Sequence, residues 1–258
     1  MKGAPSRIGA RGAVRLVGLG AATFAWLSAA TLHEALIPAS RRGPIFQRYL
    51  QRWGHSLVHR TGGRVFLTPG SVVPEHVGPR LVVANHRSPF DIGIMLSLFG
   101  GHALSRADLA SWPVLGVAAQ RAGTIFVDRA KADSGAAAIR AIRKKLMQKA
   151  SILVFPEGST FAGDVVQPFK PGAFTALRNL NAQIVPVGLA YDPGAEFVNE
   201  SFVNHVLRVA ERPQTRCVVA IGQALPANAR PQELADQLHG LVQELVTQAR
   251  QHWTERFG

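Results

Sequence analysis

Leu81-Val82-Val83-Ala84-Asn85-His86-Arg87-Ser88-Pro89-Phe90-Asp91 changes character partway along. Its first four residues are apolar and read as a short buried strand. Asn85 and His86 stop that strand, and a helix start follows. Ser88 suits the N-cap, Pro89 the first helical position and Asp91 the third, which is the spacing of a capping box. A helix start accounts for Ser88, Pro89 and Asp91 without any function. It leaves unexplained a polar Asn-His pair at the mouth of an apolar strand. Asp91 lies five residues after His86, whereas two ligands on one helix face want a spacing of three or four. The longer gap suits a turn that folds the imidazole back, so that the carboxylate holds one ring nitrogen and leaves the other free as a base.

The pattern of an apolar strand with a polar end recurs along the chain. Residues 65–67 suit a first strand, and 92–98 an apolar helix closed by Gly100-Gly101. Residues 105–123 suit a short packed helix. Residues 124–127 read as a second buried strand ending in Asp128-Arg129, and 152–155 as a third ending in Pro156-Glu157-Gly158-Ser159-Thr160. Residues 184–191 read as a fourth, in which Pro186 argues for an edge or bulged position. Residues 134–149 suit a helix with Ile139, Ile142 and Leu146 inward, and Pro171-Gly172 opens a helix over 173–179. Gly158 lets backbone amides approach an anion, and the start of the 173–179 helix favours one too. Between 192 and 216, Phe197, Phe202, Val206 and Leu207 read as packing residues and His205 as structural or surface. A late strand follows at 217–221, then a helix over 231–253 with Leu234, Leu238, Leu241 and Leu245 in one stripe. Strands alternating with helices predict an α/β fold with a mixed, mostly parallel central sheet flanked by helices. Polar residues at carboxyl ends of strands mark where such sheets place their sites.

The chain has 258 residues and one cysteine, Cys217, which excludes an intrachain disulfide and a cysteine-rich metal site. Its net charge of +13 calls for an anionic partner. Residues 1–61 hold nine bases against the single acid Glu34. Within them, 16–32 are almost wholly apolar or small, at the short edge of the roughly 20 residues that span a bilayer. Arg41-Arg42-Gly43-Pro44 reads as a turn, and 45–58 as a second helix with Phe46, Leu50, Trp53 and Leu57 on one face. The pair reads as a membrane-associated helical hairpin, with a cleaved secretory signal as the second reading. Nucleic acid is not an expected partner, because no reader motif and no interleaving of aromatic and basic residues occurs. The basic run from Arg129 to Lys149 is first of all a solvated face. It also offers positive potential to anionic lipid or to a phosphorylated acyl carrier.

Four ordered blocks carry a resemblance: Asn85-His86 with Asp91, Gly123-Thr124-Ile125-Phe126-Val127-Asp128-Arg129, Phe155-Pro156-Glu157-Gly158-Ser159 and Ile184-Val185-Pro186-Val187-Gly188. Together they resemble the 1-acylglycerol-3-phosphate acyltransferase (lysophosphatidate acyltransferase) family over about residues 45 to 225. The resemblance implies the glycerolipid acyltransferase fold, with residues 1–61 as membrane-associated helices and 62–258 as the acyltransferase domain. It implies transfer of a fatty acyl group from acyl-CoA or acyl carrier protein to the hydroxyl of a lysolipid, chiefly 1-acylglycerol-3-phosphate giving phosphatidic acid. His86 is then the general base and Asp91 the group that orients and charges it. Arg129, Glu157, Gly158, Ser159, Thr160 and Lys170 are candidates for holding the acceptor. The implied location is a membrane, the bacterial inner one, with the site on its cytoplasmic side.

A thioester is already activated, so neither metal nor further cofactor is expected. No Gly-x-Ser-x-Gly elbow occurs, which disfavours a serine hydrolase. The family's third block commonly reads Glu-Gly-Thr-Arg, where this chain has Ser159 and Thr160 after Glu157-Gly158. A missing arginine removes a charge-assisted contact worth roughly 1.5–3 kcal/mol. Arg129 or Lys170 can compensate; otherwise the acceptor is another lysolipid, such as lyso-ornithine lipid. Two rivals are an inert membrane-binding relative, against which the intact His86, Asp91 and Arg129 speak, and a metal-dependent hydrolase, which lacks further ligands at recognisable spacing.

Overall fold

The computed structural model describes residues 8–112, 115–128 and 132–258. Two long helices come first, α1 (Ala10–Leu36) and α2 (Ala39–Arg60). The turn between them falls at Ile37-Pro38, earlier than the Arg41-Arg42-Gly43-Pro44 turn expected from the sequence. Pro38 takes an extended conformation (φ −57°, ψ 144°) that separates the two helices, and α2 absorbs the basic tetrad. Then follow β1 (Gly63–Leu67), β2 (Arg80–Ala84), α3 (Phe90–Phe99), β3 (His102–Arg106), a 3-10 turn at Ala107–Ser111 and α4 (Leu115–Arg121). Next come β4 (Ile125–Val127), α5 (Ala132–Met147), β5 (Ser151–Val154) and the single turn α6 (Gly172–Thr175). The chain closes with β6 (Gln183–Tyr191), α7 (Phe202–Glu211), β7 (Thr215–Ile221), β8 (Leu225–Pro226) and α8 (Pro231–Phe257).

The described strands form one sheet in the order β1-β7-β6-β2-β5-β3-β4, with β8 paired to the start of β6. All pairings are parallel except those of β6 with β7 and β8, so the sheet is mixed and mostly parallel, as the sequence indicates. The pleat divides the core into two layers, because successive strand residues face opposite ways. Leu81, Val83, Ile152, Val154 and Ile184 pack under α5 and α8, against Ile142, Leu146, Leu238 and Val242. Val82, Ala84, Leu153, Val185 and Val187 face the other way, onto Leu50 and Val58 of α2 and Ile94 and Met95 of α3.

Several local expectations are corrected. β3 is a strand that the sequence reading missed, and it places β4 at the outer end of the sheet, half-buried. The helix expected over 173–179 is only the turn α6, too short to offer an anion-binding amino end. Pro186 lies in the middle of the sheet, opposite Val83 of β2, and not at an edge. Its carbonyl accepts from Gly222 N at 2.9 Å, on the side where β7 gives way to β8. The nitrogen that lacks a hydrogen therefore faces a break in the ladder, where no donor is needed.

The amino-terminal hairpin is packed into this body. Gly54 of α2 and Gly93 of α3 let the two helices touch: a Cβ at Gly54 would sit 2.9 Å from both Gly93 O and Ser97 N. Trp53 Nε1 donates to the buried Thr23 hydroxyl of α1 at 3.1 Å. The ends of α1 and α7 cap each other. Glu211 accepts from the amides of Gly9 (2.6 Å) and Gly12 (3.0 Å), and Arg15 donates to the carbonyls of Ala210, Arg212 and Pro213. Each helix thus satisfies end groups that the other leaves open. The outer side of α1 stays bare: Val14, Val17, Phe24, Leu32 and Leu36 are all strongly exposed. By length and composition α1 is able to cross a membrane.

Gly188, inside β6, lies directly beneath α8; a Cβ there would overlap the Leu245 carbonyl carbon and Val246 nitrogen. Gly188→Ala is expected to lower stability by about 1–3 kcal/mol through overpacking, read as a fall in thermal midpoint. If the helix could move aside, the same change would stabilise by about 0.4–1 kcal/mol through the unfolded chain, so the sign of the shift tests the contact.

Candidate active site

β2 ends at Ala84, and the next side chain continues its pairing. Asn85 Nδ2 donates to Leu189 O at 2.9 Å, and Leu189 N donates to Asn85 Oδ1 at 2.8 Å. An amide side chain thus replaces one rung of the β2–β6 ladder and frees the backbone to turn. His86 stands on that turn. Its Nδ1 lies 2.7 Å from Asp91 Oδ2, and its side chain is 18% exposed while that of Asp91 is fully buried. The Phe155 ring stacks on the imidazole with centroids 4.3 Å apart and planes 16° from parallel. With Nδ1 committed to the carboxylate, Nε2 makes no hydrogen bond to any described residue. The carboxylate on one edge and the Phe155 ring on one face fix the orientation of the imidazole.

Asp91 meets both the helix start and the imidazole. Its Oδ2 accepts from Ser88 N (2.9 Å) and Arg87 N (2.6 Å) at the start of α3, and from His86 Nδ1 at 2.7 Å. Its Oδ1 accepts from the Tyr191 hydroxyl at 2.5 Å. α3 begins at Phe90, one residue later than expected, with Pro89 in the cap position.

Glu157 is not free to hold an acceptor. It is buried, and Arg87 Nη1 donates to both its oxygens at 3.0 and 3.1 Å. His86 N (2.6 Å) and Gln167 N (2.9 Å) complete its donors. Arg87, also buried, turns its remaining hydrogens to the carbonyls of His86, Gly163 and Val165. The pair locks the 155–167 loop over the turn and pins the backbone of His86. The expectation that Glu157 faces a ligand is therefore corrected: its lone pairs are taken, and a carboxylate repels a phosphate. Gly158 is in the left-handed region (φ +78°), where Lys170 lies against it; a Cβ there would be 2.8 Å from Lys170 Nζ. Ser159 and Lys170 are exposed, and the half-buried Thr160 donates its hydroxyl to Phe197 O at 2.7 Å. Arg129 lies outside the described residues.

Ser88, expected as a helix cap, and His205, expected as structural or surface, are joined in one chain of contacts. Ser88 Oγ lies 2.9 Å from His205 Nε2, and His205 Nδ1 lies 2.9 Å from Glu200 Oε1. Burial pushes the His205 ring below its ordinary value, against the pull of Glu200. The neutral ring donates from Nδ1 to Glu200 and accepts the Ser88 hydroxyl at Nε2. The expected capping role of Ser88 is correspondingly slight, a 3.4 Å contact from Phe90 N. The order Ser-His-Glu matches that of a nucleophile, base and acid. Ser88 has no solvent exposure, however, so the chain of bonds works as a brace between α7 and the turn. Tyr191 and His205 reach the site across the fold, and Arg87, beside His86 on the turn, reaches across to Glu157; no local spacing announces these contacts. Among the described residues, no three His, Cys, Asp or Glu side chains gather where a metal ion could bind.

The chain is similar to known acyltransferases. A family model described as Acyltransferase matches residues 69–190. The 1-acyl-sn-glycerol-3-phosphate acyltransferase of Neisseria meningitidis is 34% identical over 125 residues, 48% of this chain and 49% of that protein. The chain thus aligns with about half the length of that relative. The lyso-ornithine lipid O-acyltransferase of Pseudomonas aeruginosa is 28% identical over 239 residues, 88% of each chain. A crystal structure of the 1-acyl-sn-glycerophosphate acyltransferase of Thermotoga maritima superposes with a TM-score of 0.67 at 16% identity, over 93% of this chain and 98% of that one, and shares its fold.

Glu157→Gln leaves the buried Arg87 guanidinium without its counter-charge. The expected cost is about 3–5 kcal/mol of folding stability, measured by denaturant unfolding. An unchanged midpoint would show that the ion pair does not hold the loop.

Proposed function

Because this chain belongs to the acyltransferase family, we propose that it moves a fatty acyl group from a thioester, acyl-CoA or acyl carrier protein, to the free hydroxyl of a lysolipid. The first acceptor is 1-acylglycerol-3-phosphate, giving phosphatidic acid in phospholipid synthesis. The observation that carries the reading is the 2.7 Å contact between a partly exposed His86 and a fully buried Asp91.

In the reaction, Nε2 of His86 takes the proton of the acceptor hydroxyl as its oxygen bonds to the thioester carbonyl carbon. The tetrahedral intermediate then collapses, the carbon–sulfur bond breaks, and the imidazolium returns its proton to the leaving thiolate. Asp91 stabilises the imidazolium between the two steps and keeps the ring from turning. No cofactor is needed beyond the donor, since the thioester supplies the activated acyl group. The polar head of the acceptor is held by Gly158, Ser159 and Lys170, which follow the buried Glu157 or border its loop, with Arg129, outside the described residues, as a further candidate. Residues 1–61 serve as the anchor and 62–258 as the catalytic part. The bare apolar side of α1 enters the lipid, and the site faces the cytoplasmic surface of a bacterial inner membrane.

A second acceptor, lyso-ornithine lipid, is favoured by one specific observation. Thr160 stands where the family commonly has a phosphate-gripping arginine, and its hydroxyl is already donated to Phe197 O.

The test is transfer from labelled acyl-CoA to a panel of lysolipids by the full chain in detergent. Product with at least one of them is expected, and His86→Ala is expected to lose about 10²–10⁴-fold in rate. Full activity in that variant would remove the mechanism. Preference for the phosphate or the ornithine head group decides between the two acceptors.

A further inference from the structure

We propose that Tyr191 is a positioning residue for the transfer argued above, setting through Asp91 how firmly the dyad holds the proton on His86. Tyr191 is the last residue of β6 and is almost completely buried. Its hydroxyl donates to Asp91 Oδ1 at 2.5 Å, and no other described group donates to that oxygen. The other three donors all meet Oδ2. One carboxylate oxygen thus serves the turn and the base, and the other belongs to Tyr191 alone.

Burial, and then the charge of Asp91, push the phenol well above its ordinary value, so it stays a protonated donor. The groups around Asp91 come from four elements. His86 faces it from the turn and Tyr191 from β6. Cys217 of β7 and His205 of α7 lie within its field, the thiol pushed up and the imidazole pushed down by burial, so both are neutral. The Arg87 guanidinium is turned away, onto Glu157. The charges nearest Tyr191 itself are paired, Arg250 of α8, which donates to the Tyr191 carbonyl at 2.8 Å, with Asp164, and Asp192 with Arg216. The hydrogen end of the Tyr191 O–H dipole points at the dyad. It draws negative charge from the carboxylate and disfavours the imidazolium. His86 then gives up its proton to the leaving thiolate more readily than it would above an undamped carboxylate.

The experiment uses the full chain in detergent, with two readouts. One is the His86 ring titration by NMR, which needs no substrate; the other is the acidic limb of kcat/KM for the best lysolipid of the panel. In Tyr191→Phe both are expected to move to higher pH, by about half a unit or more, with KM for each substrate changed less than about two-fold. A fold-preserving arm runs the opposite way. The chain has two tyrosines, so Tyr49→Phe leaves Tyr191 as the only one, and growth on 3-fluorotyrosine makes it a stronger donor. Relative to the Tyr49→Phe protein with ordinary tyrosine, both readouts are expected to move to lower pH. A fluorinated protein whose titration coincides with its reference overturns the proposal, whether or not Tyr191→Phe folds. If the parent transfers no acyl group to any lysolipid, the proposed reaction falls, while the titration still decides the part played by Tyr191.

Discussion

A carboxylate removed from water must be met by donors or give up its charge. Asp91 is met by two backbone amides, an imidazole and a phenol, drawn from the turn and from β6. The bend after β2 cannot open without stripping that charge of its partners. The same carboxylate therefore shapes the turn and holds the His86 ring. Its part at the helix start and its part beside the imidazole are two descriptions of one group.

A second buried charge sits beside the first. Arg87 faces inward where His86 faces outward, and its guanidinium binds Glu157 and three carbonyls of the turn and the 155–167 loop. His86 is consequently held from both sides, its ring by Asp91 and its own amide by Glu157. Phe155 then covers one face of the ring. The ring therefore has little freedom to turn, the kind of preorganisation that the proposed acyl transfer calls for. The acidic residue of the Phe-Pro-Glu-Gly-Ser block serves the interior, while Ser159 just after it is exposed.

What the sequence made legible was local. β2, the His86–Asp91 pair, the inward stripe of α8 and the mixed sheet follow from periodicity and from spacings of a few residues. What it hid depends on distance along the chain. Arg87 and Glu157 meet across 70 positions, and Ser88 and His205 across 117. β3 escaped because His-Ala-Leu-Ser-Arg has polar residues at both ends and no apolar run. Pro186 misled for a related reason: a proline tells which rung of a ladder lacks a donor, but not that β7 and β8 leave a gap at that rung. Arg129, prominent in the sequence, lies outside the described residues.

The contact at Gly54 and Gly93 says something about where this molecule can be divided. No seam runs between the hairpin and the rest of the chain, since Leu50 and Val58 belong to the same apolar layer as β2 and β6. A chain shortened to begin after the hairpin would be a molecule with one wall missing, its inner sheet layer open to solvent. The hairpin that carries the bare apolar side of α1 is also part of what keeps this protein folded, so it cannot be cut away without opening the core.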